Sequence, residues 1–427
     1  MKHKIKKYIH NYNVLLRNFS YLTVLQLFNL LVPLITYPYL IRVLGPETYG
    51  LIIFVQAIIS YLLIIVSFGF MTSATKAISI HRDEQDKLSE IVSSVLIIKG
   101  ILFFLSLVML SVTLFIIPAA AGYEALFLLS MWLCLYDVIL PTWYFQGLEK
   151  MGYIAYLSLI SRSLFLCLIF VFIDSSEDYL LLPVINGIGA LISGIAALYI
   201  IFVKHKVQFK AQSYKTLKLY FIDSMLIFGS IFSVKIYASA NRLIIGTFFG
   251  LAQVSYYDLA EKLSVLIKTP IQIIGQTLFP RVSKEKNLRF IRKFFYFILV
   301  FSILILIVSS VTAGSMITIF GGGEMLLAIP IFKILIISII PVTFSLFFGN
   351  LTLLPFGHNK DYLNIRLASL VFYFALVVVL YAFRLVNPTS LAVSVVLTEL
   401  VAAIVAYSYC NFRNINFLDK KILSSKI

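Results

Sequence analysis

Twelve long apolar blocks fill this chain of 427 residues, and the gaps between them are basic and non-basic in strict alternation. A bilayer's hydrocarbon core is about 30 Å thick and takes roughly 20 apolar residues per helix. The blocks supply that length at 14–41, 50–72, 91–117, 123–147, 153–173 and 179–203, then at 219–248, 252–279, 294–319, 326–355, 362–385 and 389–410. Lys and Arg in the gaps, in the tails and near the block ends fall 25 on one side against 2 on the other, those two being Arg42 and Arg384. By the positive-inside rule both termini are cytoplasmic. The chain therefore reads as an all-α polytopic membrane protein with 12 transmembrane helices.

Composition removes other classes. With 61% hydrophobic and 13% charged residues and a mean hydropathy of +0.98, an ordinary soluble domain is excluded. The formal charge of +16 raises nucleic acid as a partner. Yet the excess lies in short gaps and tails beside spans, where it sets topology and meets anionic membrane lipids, so no nucleic acid is expected. Cys134, Cys167 and Cys410 all sit inside apolar blocks without CxxC spacing; they read as buried apolar residues, with no disulfide and no metal site. The basic N-terminus runs into a full-length span without a small-residue cleavage site, which predicts an uncleaved first helix.

The longest cytoplasmic gap, 204–218, divides the blocks into an N-terminal set at 1–203 and a C-terminal set at 219–410, with a tail at 411–427. Six spans per half start both halves on the same side, so the repeat is parallel: two six-helix bundles related by an axis along the membrane normal. Leu44-Gly45-Pro46-Glu47-Thr48-Tyr49-Gly50 after the first span resembles Phe249-Gly250-Leu251-Ala252-Gln253-Val254-Ser255-Tyr256 after the seventh, with one residue inserted. Gly45 and Gly250 suit tight outer turns. No outer gap exceeds about ten residues, so chemistry must take place between helices rather than in an external domain.

Ionisable side chains inside a membrane cost roughly 2.5–3.5 kcal/mol each on insertion scales and usually mark function. Span 7 carries Lys235, Ser239, Arg242 and Gly246 at i, i+4, i+7 and i+11, a cationic stripe on one helical face. Span 8 carries Glu261, Lys268, Gln272 and Gln276 on one face, has Asp258 and Lys262 at pairing distance i, i+4, and contains Pro270. In the first half, Gln26, Asn29, Pro33 and Thr36 share one face of span 1, and Gln56, Ser60 and Ser67 one face of span 2. These faces either oppose spans 7 and 8 across a central cavity or act as interhelical glue, and the residues alone leave both readings open. Arg162 is read as lumenal. Asp137, deep in span 4, needs a partner, whereas Lys99, Lys333 and Arg366 are expected to snorkel or anchor at the interfaces. Glu399 lacks a nearby opposite charge and is expected either to stay protonated or to serve a coupling ion. Arg42 with Glu47 at the outer mouth is a local pair or an outer gate.

The deep cations Arg162, Lys235, Arg242 and Lys268 outnumber unpaired acids, and a cavity so biased favours a phosphorylated or otherwise acidic headgroup.

The run Pro38-Tyr39-Leu40-Ile41-Arg42-Val43-Leu44-Gly45-Pro46-Glu47-Thr48-Tyr49-Gly50 resembles the O-antigen and polysaccharide flippases, the Wzx type of the multidrug/oligosaccharidyl-lipid/polysaccharide exporter superfamily. Asn241-Arg242-Leu243-Ile244-Ile245-Gly246 followed by Tyr256-Tyr257-Asp258-Leu259-Ala260-Glu261-Lys262 looks like the matching region of the second half. The resemblance implies two bundles facing each other as a V in the bacterial inner membrane. These would move an undecaprenyl-diphosphate-linked oligosaccharide to the outer leaflet by alternating access, driven by an H+ or Na+ gradient without a bound cofactor. The polysaccharide polymerisation machinery is a further implied partner. Many relatives have an acid before the span 7 arginine; here it is Asn241, which leaves Arg242 without an adjacent carboxylate and freer to meet a diphosphate. Asp258, Glu261 and Glu399 then become the coupling candidates. The expected substrate contacts are Arg162, Lys235, Arg242 and Lys268 on the diphosphate or acidic sugars, with Gln26, Asn29, Gln56, Asn241, Gln272 and Gln276 as polar lumen.

Competing readings are a multidrug exporter of the same superfamily, which would show acids and aromatics in the lumen for cationic substrates, and a flippase for the peptidoglycan precursor, a branch with typically fourteen spans. A membrane glycosyl polymerase or ligase would need a large outer loop with catalytic Arg or His. Instead His3, His10, His81, His205 and His358 all map to the cytoplasmic side, so no catalytic residue is assigned. A structural scaffold leaves the buried charges unexplained.

Overall fold

The computed structural model describes residues 2–116, 122–235 and 239–419, and within these the side chains of residues 2–20, 22–24, 27, 30, 34, 226, 230, 233–235 and 280 lie outside the described residues. All regular structure among the described residues is helical. Nine helices there are long and apolar enough to cross a membrane, and the chain is a multi-pass membrane protein.

The chain divides into two compact units, Met1–Lys235 and Ile236–Ile427. Unit 1 begins with α1 (Lys2–Ser67), two helices joined at a kink where Gly45 takes φ 73° and ψ 165°. This conformation is essentially reserved for glycine, and it is where the sequence sets an outer turn. After Gly69 (φ 77°) come α2 (Phe70–Ile80) and α3 (Gln85–Ile116). The fourth apolar block is broken into α4 (Glu124–Ser130), α5 (Trp132–Ile139) and α6 (Thr142–Gly147). Pro141 has no N–H to continue the ladder and stands at the second of these breaks. Then follow α7 (Met151–Phe172), α8 (Leu181–Tyr199), which closes in a π-type turn over Ile200–Lys204, and α9 (Tyr214–Lys235).

Unit 1 keeps α9, a helix the sequence reading placed in the second half, because α9 is docked on its neighbours. Phe68 stacks on Phe221 and Phe228 at 4.3 and 4.7 Å, and Ser73 shares a hydrogen bond with Ser224 at 2.7 Å. A Cβ on Gly69 would stand 3.0 Å from the Phe228 backbone nitrogen, so only glycine permits this approach. The basic gap before α9 is held down as well: the Gln208 and Lys210 amides donate to Ser89 and Ser93 on α3, each at 3.0 Å.

Unit 2 contains α10 (Ala240–Phe248), α11 (Leu251–Glu285), α12 (Leu288–Val311), α13 (Ala313–Gly321), α14 (Ala328–Ile337), α15 (Ile339–Ser345), a π-type stretch Leu346–Leu353, α16 (Asn359–Ala382) and α17 (Pro388–Phe412). Gly250 separates α10 from α11 with φ 93° and ψ 162°, close to the torsions of Gly45. Asn287 and Asn387 cap α12 and α17 through their side chains, as short polar residues do at helix starts. Beyond α17 the chain turns back into the unit. Phe417 is fully buried and stacks on Phe348 at 4.6 Å, while Arg413 grips Asp361 through two nitrogens at 2.6 and 3.0 Å.

Candidate functional site

The bend at Gly250 turns α11 back along α10, so residues equally far before and after it face each other. Arg242 stands eight positions before the glycine and Asp258 eight after, and they meet: Arg242 Nε lies 3.1 Å from Asp258 Oδ1. One turn further along α11, Glu261 Oε2 lies 2.8 Å from Arg242 Nη2. Lys262, four residues after Asp258, places Nζ 2.6 Å from its second oxygen, the pairing expected at that spacing. Asp258 is buried and receives both cations, while Arg242, Glu261 and Lys262 are half-buried.

Beside this network Asn241 is clamped by two tyrosines. Its amide nitrogen donates to the Tyr257 hydroxyl at 2.7 Å, and its amide oxygen accepts from Tyr373 of α16 at 2.6 Å. All three are buried. The amide serves one hydroxyl as donor and the other as acceptor, so Asn241 ties α10 to both α11 and α16. About two turns along α11 from Glu261, Lys268 donates to Ser338 Oγ at 2.8 Å. It also lies close enough to Glu261 and to Glu399 of α17 to feel both charges.

These contacts correct four expectations. Arg242 is not left without carboxylates, because two reach it from α11 rather than from its own helix. Glu399 has an opposite charge nearby in Lys268. The surplus of deep cations disappears in unit 2, where Arg242, Lys262 and Lys268 face Asp258, Glu261 and Glu399. Lys99 does not snorkel: it is buried and pairs with Asp137 at 2.7 Å, supplying the partner that Asp137 needs. That pair was missed because the two residues lie on different helices, where no spacing rule joins them.

The remaining candidates are dispersed. Arg162, half-buried on α7, feels the phenols of Tyr37 and Tyr136, and no carboxylate lies within 4 Å of it among the described residues. Lys235 ends α9, but its side chain lies outside the described residues, as do Ile236, Tyr237 and Ala238, so the proposed stripe is placed only at Ser239, Arg242 and Gly246. Gln26, Gln272 and Gln276 are exposed, and Asn29 and Gln56 half-buried. Arg42 and Glu47 are exposed on either side of the Gly45 kink. No cluster of three or more His, Cys, Asp and Glu suited to a metal ion occurs among the described residues.

Comparison with known proteins follows the same lines. A family model described as polysaccharide biosynthesis protein matches residues 15–286. A protein of Escherichia coli (strain K12), provisionally named an O-antigen transporter, is 27% identical over 369 residues, 83% of this chain and 86% of that protein. Its counterpart from Shigella dysenteriae, with the same name, is 26% identical over 387 residues, 87% and 94%. Among solved structures, the lipid II flippase MurJ in an inward closed conformation superposes with a TM-score of 0.73 at 15% identity, covering 94% of this chain and 89% of that one. A multidrug resistance MATE family transporter of the MOP superfamily, inward-facing, gives 0.71 at 15% identity, with 91% and 94% covered. At such identities the structural likeness is one of fold.

Proposed function

The chain belongs to the polysaccharide biosynthesis protein family, and from that premise we propose that it is a flippase. Its substrate would be an undecaprenyl-diphosphate-linked oligosaccharide, the repeat unit of O-antigen or a related surface polysaccharide, moved across the bacterial inner membrane. The observation that carries the reading is the network of Arg242, Asp258, Glu261 and Lys262 on two helices read as membrane spans. Packing alone has no need of four ionisable groups at a cost of roughly 2.5–3.5 kcal/mol each. The names of the two curated relatives support the substrate class.

In this reading twelve spans form two six-helix bundles around a central cavity with both termini cytoplasmic. The nine apolar helices become twelve once the first is divided at Gly45 and the charged spans 7 and 8 are added. Arg162, with no carboxylate within 4 Å among the described residues, is the cation assigned to the diphosphate together with Lys235, whose side chain lies outside the described residues, since Arg242 is engaged by carboxylates. Asp258, Glu261 and Glu399 are the sites at which H+ or Na+ would be exchanged: neutralising one of them releases its cation, and alternating access needs such a two-state element. The polysaccharide polymerisation machinery is the proposed downstream partner.

The test is reconstitution in liposomes with a fluorescent undecaprenyl-diphosphate oligosaccharide, following leaflet transfer with and without an imposed H+ or Na+ gradient. Wild type should transfer the lipid. Arg162→Ala should weaken binding, and Glu261→Gln should abolish the response to the gradient. Absence of transfer for every lipid-linked sugar tried would refute the reading. A multidrug exporter is the second reading, because the balanced charge of the α10–α11 network removes the objection from a cation surplus; uptake of a cationic dye by the same liposomes would favour it.

A further inference from the structure

Three apolar spans of unit 1 converge on one small patch at the membrane edge: Glu124–Gly147 and Ser176–Lys204 end there and Met151–Phe172 begins there. Two exposed lysines stand at this patch. Lys150 Nζ lies 3.0 Å from His205 Nε2, and Lys204 Nζ stands 5.4 Å over the centre of the Tyr153 ring. Both charges act on the His205 imidazole. An ammonium has no lone pair, so Lys150 donates, Nε2 accepts, and His205 is neutral with its hydrogen on Nδ1, 3.1 Å from the Tyr144 hydroxyl.

The frame around the two lysines is fixed. Gln85 Nε2 donates to the carbonyls of both His205 and Lys206 at 2.9 Å, and Lys206 takes φ 55° to make the turn. The following residues are stapled to α3 through Ser89 and Ser93. Yet no carboxylate lies within 4 Å of Lys150 or Lys204 among the described residues; the adjacent Glu149 turns to Arg82, at 3.9 Å. Two like charges gathered about a neutral imidazole repel each other, and a bound anion relieves that repulsion. At a membrane edge the anion at hand is the phosphoryl group of a lipid.

We propose that Lys150 and Lys204, gathered about His205, form a binding site for the phosphoryl headgroup of a membrane lipid. The site is independent of the transport reading, since a phospholipid satisfies it as well as an isoprenyl diphosphate. The full-length protein in detergent micelles is challenged with undecaprenyl diphosphate, phosphatidylglycerol and, as the net-neutral control, phosphatidylcholine, and retained lipid is read by native mass spectrometry. Wild type should retain one or both anionic lipids over phosphatidylcholine. A Lys150→Gln/Lys204→Gln variant should lose about tenfold or more of that retention, as expected when two charge-assisted hydrogen bonds are removed. Lys150→Arg/Lys204→Arg should keep it, and Lys215→Gln/Lys218→Gln should leave it unchanged. Loss confined to undecaprenyl diphosphate assigns the site to an isoprenyl lipid, and loss confined to phosphatidylglycerol assigns it to bulk phospholipid. Should the glutamine pair fail to fold, displacement of lipid from wild type by inorganic pyrophosphate supports the site and its absence overturns it. Equal retention by wild type and a folded glutamine pair also overturns it.

Discussion

Lys99 takes two oxygens of one residue: its ammonium donates to the Asp137 carboxylate at 2.7 Å and to the Asp137 main-chain carbonyl at 2.6 Å. That carbonyl is the one a helix would bond to residue 141, and residue 141 is proline. Lys99 therefore supplies the donor that Pro141 lacks and neutralises the acid at the same place. Its removal should be costly. Lys99→Met should lower stability by about 2–3 kcal/mol, below the full value for a buried pair because Asp137 retains some exposure. The apparent melting temperature in detergent measures this, and Lys99→Met/Asp137→Asn should fall less than the two single changes together.

The clamp on Asn241 makes a second prediction. Asn241→Leu takes one hydrogen bond from each of two buried tyrosine hydroxyls at once and should destabilise by about 1–2 kcal/mol or more, since breaking one side of a buried polar pair costs more than the hydrogen bond returns. Tyr373→Phe removes only one hydroxyl and should cost less. Thermal unfolding of the two variants beside wild type gives the order.

His205 lies outside the spans, and burial followed by the charges of Lys150 and Lys204 pushes its pKa down to about 4. The unfolded chain, with an ordinary histidine near 6.5, then binds more protons than the folded chain between those values. Stability attributable to His205 is full above about pH 6.5, falls as the pH drops, and is gone near pH 4. Melting temperatures measured across this window should rise with pH more steeply in wild type than in His205→Gln. An equal slope in both would contradict the assignment.

Gly45 and Gly250 hold nearly the same torsions, and open space surrounds the position of a Cβ on each. Substitution therefore meets backbone strain rather than a clash. Gly45→Ala and Gly250→Ala should each cost about 1–3 kcal/mol, seen as parallel losses of thermal stability. A clear drop in only one of them would mean that the two bends are not equivalent.

The two bends were legible because glycine placement follows backbone torsion, a local property, and the apolar blocks because transfer into lipid sums residue by residue. The Asp258–Lys262 pair was legible for the same reason, as both residues lie on one helix. Arg242 has no acid at pairing distance on its own helix, and helical spacing reports on nothing beyond it. Its carboxylates stand across the Gly250 bend, where counting equal steps in both directions would have found Asp258. Lys99 with Asp137, and Lys268 with Glu399, gave no such signal. Their partners are set by tertiary packing, and a stray cation and a stray anion in separate apolar blocks are the only trace they leave in a sequence.

Arg242 and Lys262 carry two positive charges, and Asp258 and Glu261 two negative ones, all within a few ångströms. Such a set is electrically silent: displaced through the field across a membrane, it does no net work against the voltage. One added proton or sodium ion ends the silence, because each unmatched charge is worth about 2.3 kcal/mol per 100 mV. The stoichiometry of a bound cation, rather than the resident side chains, would then decide whether a movement of α10 and α11 is driven by the membrane potential.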